Sequence, residues 1–204
     1  TEPPAPVAAA MAESDVFVAP TTKSLSHTRA RGAACAADAR GATLPGITQS
    51  VFETGLDADY DAIDAACDSV LEAVGDASTV RVTAPAGTDL TVEVGDREWL
   101  ADRGVVHAPG AFSNLPAGEV FLAPETASGT VVVDGTMMPH GRLESGQSVS
   151  IEVADGLVTA IDDDAVRADV EAAAASVGDD AYTFAELGIG TNVGVDRLVG
   201  SVLL

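Results

Sequence analysis

The sequence predicts an α/β protein of the α+β type, in which an N-terminal helix-covered parallel sheet precedes a strand-rich mixed domain. Strands alternate with helices as far as residue 78, which is typical of a parallel sheet. Beyond that point, short alternating segments are separated by turn residues. Hydrophobic residues make up 47% of the 204 residues, enough for a substantial core. We therefore predict an α/β domain at 1–78 and a strand-rich domain at 79–204.

The first part is predicted to contain three helices and two strands. The apolar run 16–20 ends in a proline, as buried strands often do, and 42–45 has the character of a second strand end. Apolar residues recur every three or four positions over 57–74, which predicts a half-buried helix, and Gly75 follows at its end. The other predicted helices lie at 3–14 and, with Ser26 as a possible cap, at 26–40.

The second part is predicted mainly from period-two patterns. A hairpin is expected over 150–161, because Asp155-Gly156 is a favoured two-residue turn. Other strands are predicted at 79–83, 90–94, 130–134 and 147–153, and a helix at 164–177. The chain begins without methionine, and its last residues, 199–204, have the character of a core strand with nothing after it. We therefore expect a fragment, or a longer chain with incomplete ends.

The net charge of the chain limits the kinds of partner that it can bind. Asp and Glu number 32 against 10 Lys and Arg, which gives a net charge of −22, and Lys23 is the only lysine. Dispersed carboxylates with almost no lysine are typical of salt-accumulating halophiles, since molar salt shortens the Debye length to about 3 Å. An ordinary acidic protein is the alternative. Nucleic acid is not an expected partner, because no basic patch could neutralise phosphates. No apolar stretch reaches the roughly 18 residues of a membrane span.

The two cysteines predict a reducing environment. Cys35 and Cys67 lie in Ala-rich helical stretches without a CxxC pattern. Reduced, buried thiols in a cytoplasmic protein are the favoured interpretation. A disulfide between the two is the alternative.

Two glutamates lie in glycine-rich, apolar segments. Glu119 falls within 114–124 and Glu186 within 184–192. Carboxylates are rarely surrounded by Val, Phe, Leu and Ile unless they are paired, hydrogen-bonded or bound to a metal. We therefore interpret the pair as half of a metal site.

Structural roles are the alternative for the same residues. Glu119 could accept backbone N–H bonds in the turn 116–118, and Glu186 could cap a helix or pair with Arg197. Neither a nucleotide loop nor a serine nucleophile is expected, because the G-x-G-x-x-G and G-x-S-x-G patterns are missing. The histidines, expected to be hydrogen-bonded or at the surface, are His27, His107 and His140.

Several spaced blocks resemble the aminopeptidase T (M29) metallopeptidase family. The matching blocks are 20–28, 42–48, 85–90, 114–124, 185–192 and 200–204. The resemblance covers most of the chain. It implies a metal-dependent aminopeptidase, a hydrolase that removes N-terminal amino acids from peptides by attack of metal-activated water, working as a homodimer.

The resemblance also implies the metal site. Two divalent ions, zinc or cobalt with magnesium or manganese as alternatives, are expected, and Glu119 and Glu186 correspond to metal ligands of the family. Which glutamate bridges the ions is left open. The other ligands of the family (histidines, an aspartate and a tyrosine) lie beyond the equivalent of Leu204, so the 204-residue chain alone is expected to be inactive. A non-catalytic binding or scaffold domain of the same fold is the alternative.

Overall fold

A computed structural model describes residues 2–195, 197–198 and 200. The helices are α1 (Ala5–Ala12), α2 (Arg29–Ala36), α3 (Gln49–Gly55), α4 (Tyr60–Val74) and α5 (Asp164–Val177), with a 3₁₀ helix at Gly178–Tyr182. The strands are β1 (Val16–Ala19), β2 (Arg40–Thr43), β3 (Thr79–Thr83), β4 (Asp89–Glu93), β5 (Leu100–Asp102), β6 (Phe112–Asn114), β7 (Glu119–Leu122), β8 (Thr126–Val133), β9 (Thr136–Met137), β10 (Gly141–Arg142), β11 (Val149–Ala154), β12 (Leu157–Ile161) and β13 (Leu187–Gly190).

A parallel sheet of order β1-β2-β6 forms the first layer. The helices α1 and α2 cover one face of it, where Met11, Phe17 and Ala34 are buried together. Gly41 lies under the Phe17 ring, and a Cβ at this position would come within 2.3 Å of the ring. Glycine is therefore needed for the aromatic ring to lie flat on the sheet, and the predicted helix-covered parallel sheet is confirmed.

Antiparallel sheets make up most of the second part. A five-stranded sheet has the order β12-β11-β8-β4-β3, and a three-stranded sheet has the order β13-β7-β5. Helix α4 packs against β7, so that Ile63 and Cys67 share a core with Val120 and Leu122. Apolar burial of this kind supplies the main driving force for the packing. The mixed α+β class predicted from the sequence is confirmed.

Local patterns located several elements well. The helix α4, the helix α5 and the strands β3 and β4 lie within one to three residues of their predicted ranges. The hairpin is confirmed as β11 and β12, with Asp155 at φ 51° and Gly156 at φ 78° in its turn. Both central residues have the positive φ that a type I′ turn requires.

The second helix differs from its prediction. Its cap is Thr28, whose hydroxyl accepts a hydrogen bond from the Arg31 N–H, and Ser26 lies outside the helix. The Ser26 hydroxyl is instead bonded to Thr43 and Asn114. The helix also ends at Ala36, because Asp38 adopts φ 69° and turns the chain into β2.

The predicted domain boundary at residue 78 stays a prediction. The third strand of the parallel sheet, β6, comes from beyond it and pairs with β2. The predicted core strand at 199–204 falls almost wholly outside the described residues. Neither described cysteine forms a disulfide; Cys67 is buried and Cys35 is half-buried. Over the part of the chain that the structure describes, no helix is both long and apolar enough to cross a membrane.

Candidate functional site

The three-stranded sheet aligns polar residues from three separate parts of the chain. Its register places Asp102 of β5 opposite Glu119 of β7, and Glu119 opposite Gly190 of β13. Residues opposite each other on neighbouring strands project their side chains from the same face. Glu186 directly precedes β13, at the opposite end of that strand from Gly190. The Glu119 side chain reaches along the sheet toward it: a Cβ at Gly188 would lie 2.0 Å from Glu119 Oε1, and both glutamates line the same cavity.

Hydrogen bonds fix the turn before Glu119 against the segment after β13. The Thr191 N–H donates to the Gly118 carbonyl at 2.8 Å, and the Asn192 amide nitrogen donates to the Ala117 carbonyl at 2.7 Å. Gly118 has φ 124°, and a Cβ there would lie 2.7 Å from the Asn192 backbone nitrogen. Only glycine allows this close approach, so the glycine before Glu119 is a requirement of the site.

A cavity of about 640 Å³ opens above this sheet. Its residues come from the loop after β1, from the end of the parallel sheet and from the three-stranded sheet; they are Ser24, Ser26, His27, Pro45, Asp102, Asn114, Pro116, Ala117, Gly118, Glu119, Glu186, Gly190, Asn192 and Val195. The cavity therefore lies where the two sheets meet. Its volume is within the range that small-molecule sites occupy.

The carboxylates of the cavity repel one another. The pKa of Glu119 is raised, mainly because the residue is half-buried and then because of the negative charges of Glu186 and Asp102. Burial and the Asp102 charge also raise the pKa of Tyr60. Asp102 is held in place by the Ser113 hydroxyl, which donates to its Oδ1 at 2.5 Å. A site with this charge favours a cation.

The structural alternatives for the two glutamates find no support in the described residues. In that part of the chain no group donates a hydrogen bond to the Glu119 carboxylate, so the turn 116–118 does not satisfy it. Arg197 donates to the Ser50 hydroxyl at 3.1 Å instead of pairing with Glu186. Glu119 and Glu186 do line one cavity, as expected for half of a metal site. Their role as ligands stays a prediction.

The cavity lining includes residues that sequence reasoning missed. Asn114 accepts hydrogen bonds from the Ser26 and Thr43 hydroxyls, and Ser24 donates to Ser26. Asp102 was missed as well. The sequence held one signal for Asn114, its position at the start of the block that contains Glu119. It held no signal for Asp102, because strand pairing in the folded protein places that residue beside Glu119.

The donor set fits a metal ion only in part. Carboxylate oxygens suit divalent cations, and transition-metal sites usually draw on imidazole as well. His27 contributes an imidazole to the cavity wall. Among residues 2–195, 197–198 and 200, however, no three His, Cys, Asp or Glu side chains are grouped so as to hold a metal ion. The described residues therefore offer part of a coordination shell.

An acidic cavity set between two sheets, with the pKa of the half-buried Glu119 raised, is typical of an enzyme site. The family model for NicX, 2,5-dihydroxypyridine 5,6-dioxygenase, matches residues 3–196. Because the match spans nearly the whole sequence, the chain belongs to this family. No protein in the curated set matches the chain.

Two solved structures share the fold. The 2,5-dihydroxypyridine dioxygenase from Pseudomonas putida KT2440 has a TM-score of 0.69 and 19% identity, covering 91% of this chain and 53% of its own. AmpT from Thermus thermophilus has a TM-score of 0.57 and 16% identity, covering 92% of this chain and 59% of its own. At these identities the likeness concerns the fold alone. The chain spans little more than half the length of either neighbour.

The predicted aminopeptidase activity is therefore wrong, together with the protease and hydrolase assignments and the peptide substrate. The family is one of oxidoreductases, and the alternative of a non-catalytic scaffold is not supported either. The AmpT neighbour shows that the quoted blocks carry a real but weak fold relation. Both neighbours share the fold of this chain, and a shared fold does not determine chemistry. The expected homodimer is not shown.

Proposed function

We propose that this chain forms part of a metal-dependent dioxygenase that oxidises a small hydroxylated ring of the 2,5-dihydroxypyridine type. The observation that carries the proposal is the match of the dioxygenase family model over residues 3–196. The structural neighbour from Pseudomonas putida supports it at the level of the fold. A dioxygenase of this kind implies a metal cofactor, for which iron is typical.

The cavity supports a small polar ligand. Its volume of about 640 Å³ accommodates a single-ring molecule, and its lining combines acidic and neutral polar residues. Asp102, Glu119 and Glu186 are acidic, whereas Ser24 and Asn114 carry neutral polar groups. A ring with polar substituents would therefore be held by a cationic centre bound by the acids and by the neutral hydrogen-bonding groups.

Glu119 and Glu186 are the residues that we propose to hold the metal. Both line the cavity, and the Glu119 carboxylate accepts no hydrogen bond from the described residues that a metal would have to displace. A bound redox-active ion would supply the site for dioxygen and substrate activation. The remaining ligands would come from residues outside this group, since the described acids do not complete a shell. Asp102, fixed by Ser113, would keep the local charge negative and favour metal uptake.

Oxygen uptake by the full-length protein tests the reaction. The protein would be stripped with a chelator in high salt, reloaded separately with iron(II), zinc or cobalt, and mixed with 2,5-dihydroxypyridine. We expect the iron form to consume dioxygen together with the ring, and the zinc and cobalt forms to be inactive. An iron-loaded protein that binds its metal and consumes neither dioxygen nor the ring would refute the proposal.

Metal content tests the ligands independently of turnover. Glu119→Gln and Glu186→Gln keep the side-chain size and remove the charge, so each is expected to retain at least about tenfold less iron after dialysis. Glu125→Gln, an acid outside the cavity, is a matched control that should keep its iron. Unchanged metal content in both cavity variants would contradict the assignment.

A cytoplasmic location also belongs to the proposal, supported by the two unpaired cysteines.

A further inference from the structure

A polar network surrounds Asn114, one of the residues that line the cavity. The Oδ1 atom of Asn114 accepts hydrogen bonds from the Ser26 hydroxyl at 2.6 Å and from the Thr43 hydroxyl at 2.5 Å. These separations suit O–H···O bonds and are short for N–H···O bonds. In the structure the carboxamide oxygen, and not its nitrogen, faces the two hydroxyls.

The groups that hold this amide are themselves fixed. Thr43 is 0% exposed and Ser26 is 3% exposed, and their two hydroxyls lie 2.8 Å apart. The Ser26 carbonyl accepts a hydrogen bond from Arg31 Nε at 2.7 Å, which anchors the loop to helix α2. Ser24 donates to the Ser26 hydroxyl at 2.8 Å. Because its partners cannot easily move, the Asn114 amide is held in one orientation.

The amide nitrogen of Asn114 is left without a protein partner among the described residues. This nitrogen is not fully buried. Among the described residues, Trp99 Nε1 is the only fully buried side-chain nitrogen or oxygen that lacks a hydrogen-bond partner. Asn114 lines the cavity. The other amide in the wall, Asn192, uses its nitrogen on the Ala117 carbonyl and its oxygen on the Gly194 N–H. Asn114 is thus the cavity amide with a donor to spare.

We propose that Asn114 determines specificity by donating a hydrogen bond from Nδ2 to an oxygen substituent on the substrate ring. The inference rests on the proposed function, because it assumes that the cavity binds a hydroxylated ring. It adds that one ring oxygen is recognised by this residue, in addition to the contacts of the acids. An analogue without that oxygen loses this hydrogen bond and is expected to bind more weakly.

Binding without turnover tests the inference. The full-length, metal-loaded protein would be titrated in the absence of dioxygen with 2,5-dihydroxypyridine, 2-hydroxypyridine and 3-hydroxypyridine. The wild type is expected to bind one of the two monohydroxylated rings at least about tenfold more weakly than the dihydroxylated ring, through loss of this hydrogen bond. Asn114→Asp keeps an acceptor for Ser26 and Thr43 but removes the donor. This variant should bind the dihydroxylated ring more weakly by a similar factor, and it should no longer discriminate against the monohydroxylated ring that the wild type binds poorly.

Thr43→Val provides a second variant outside the cavity wall. It removes one of the two bonds that orient Asn114 and keeps the side-chain volume, so the discrimination ratio should fall partway while the fold is retained. A general loss of stability would weaken the binding of all three ligands alike, whereas loss of a specific donor changes the ratio of their affinities. Thr43→Val decides the matter if Asn114→Asp does not fold, and an unchanged ratio in whichever variant folds overturns the inference.

The two proposals fail in distinguishable ways. A wild type that binds none of the three rings would overturn the proposed function and this inference with it. A wild type that binds and discriminates, together with an Asn114→Asp variant that discriminates equally, overturns the role of Asn114 alone. A discrimination ratio that is high in the wild type and falls in the Asn114 and Thr43 variants supports both proposals.

Discussion

Glu119 combines an unfavourable environment with a central position in the site. It is half-buried, its pKa is raised by burial and by the charges of Glu186 and Asp102, and no described group donates a hydrogen bond to it. Buried charge without a partner destabilises the folded state. Such an arrangement is common at functional sites, where residues are arranged for binding or reaction at some cost in stability.

Replacing this charge should therefore stabilise the metal-free protein. With a chelator present at neutral pH, we expect Glu119→Gln to unfold at a higher temperature than the wild type, because the amide removes the repulsion from Glu186 and Asp102. Thermal unfolding followed by circular dichroism measures the shift. Glu125→Gln controls for the overall reduction in negative charge. A lower unfolding temperature for Glu119→Gln than for the control would contradict this account of the site.

Gly188 keeps space for the Glu119 carboxylate. A Cβ at Gly188 would lie 2.0 Å from Glu119 Oε1, at the far end of a flexible side chain that can swing away. We expect Gly188→Ala to fold normally and to bind iron at least about tenfold more weakly, because the ligand is displaced. Gly32→Ala, on helix α2 and outside the cavity, is the control, since its Cβ would meet nothing within 4 Å. Equal metal affinity in the two variants, measured by competition with a chelator, would contradict the prediction.

At the scale of elements, the start of helix α5 depends on one carboxylate. Asp163 Oδ1 accepts hydrogen bonds from the Ala165 and Val166 N–H groups at 2.9 Å and lies 3.0 Å from His140 Nε2. The Val166 backbone hydrogen bond and then the His140 hydrogen bond hold the pKa of Asp163 below its ordinary value of 3.8. The ionised form is therefore the one that stabilises the folded state.

This shift predicts a pH-dependent effect of Asp163→Ala. Because the folded-state pKa is lowered, the contribution of Asp163 is present above pH 3.8 and is lost as the pH falls through the folded value. The variant should unfold at lower urea concentration than the wild type at neutral pH, and the difference should shrink as the pH falls below 3.8. Asp164→Ala, at the exposed neighbouring position, is the control and should have a smaller effect. A difference that is constant with pH would contradict the assignment.

At the scale of the whole molecule, the net charge of −22 opposes folding in dilute buffer. We expect the free energy of unfolding to rise steadily between about 0.1 M and about 3 M potassium chloride, because salt screens repulsion among the dispersed carboxylates. Urea unfolding at several salt concentrations measures this, and sucrose, an uncharged stabiliser, controls for general solvent effects. Stability that is independent of salt would show that the carboxylates are ordinary surface charges.

The predictable part of the molecule is the part encoded over short distances. Helix α4 follows from apolar spacing within 57–74, and the β11–β12 hairpin follows from Asp155-Gly156. The strands β5, β6 and β13 have three or four residues, too few for a period to be read, and were not predicted. These short strands build the site. Local sequence patterns therefore predicted the larger elements of the fold but missed the short strands that position the functional residues.

The same division applies to the site. Glu119 and Glu186 were identifiable because a carboxylate among apolar residues and glycines is unusual in any fold. Asp102 and Asn114 have ordinary surroundings in the sequence, and their importance arises from pairing with Glu119 across strands and with Thr43 across the parallel sheet. The chemistry was misassigned because the resemblance depended on blocks that form a fold shared by dioxygenase and AmpT neighbours alike.

The sequence by itself determined the acidity of the protein, its α+β class, helix α4, the hairpin and the two glutamates that stand out from their surroundings. Only the tertiary structure decided that Asp102, Glu119 and Gly190 lie side by side, and that Ser26 and Thr43 turn Asn114 toward the same cavity. The physical reason is distance along the chain. Propensity and periodicity act within about ten residues, whereas the cavity is closed by hydrogen bonds between segments separated by as many as 88 positions.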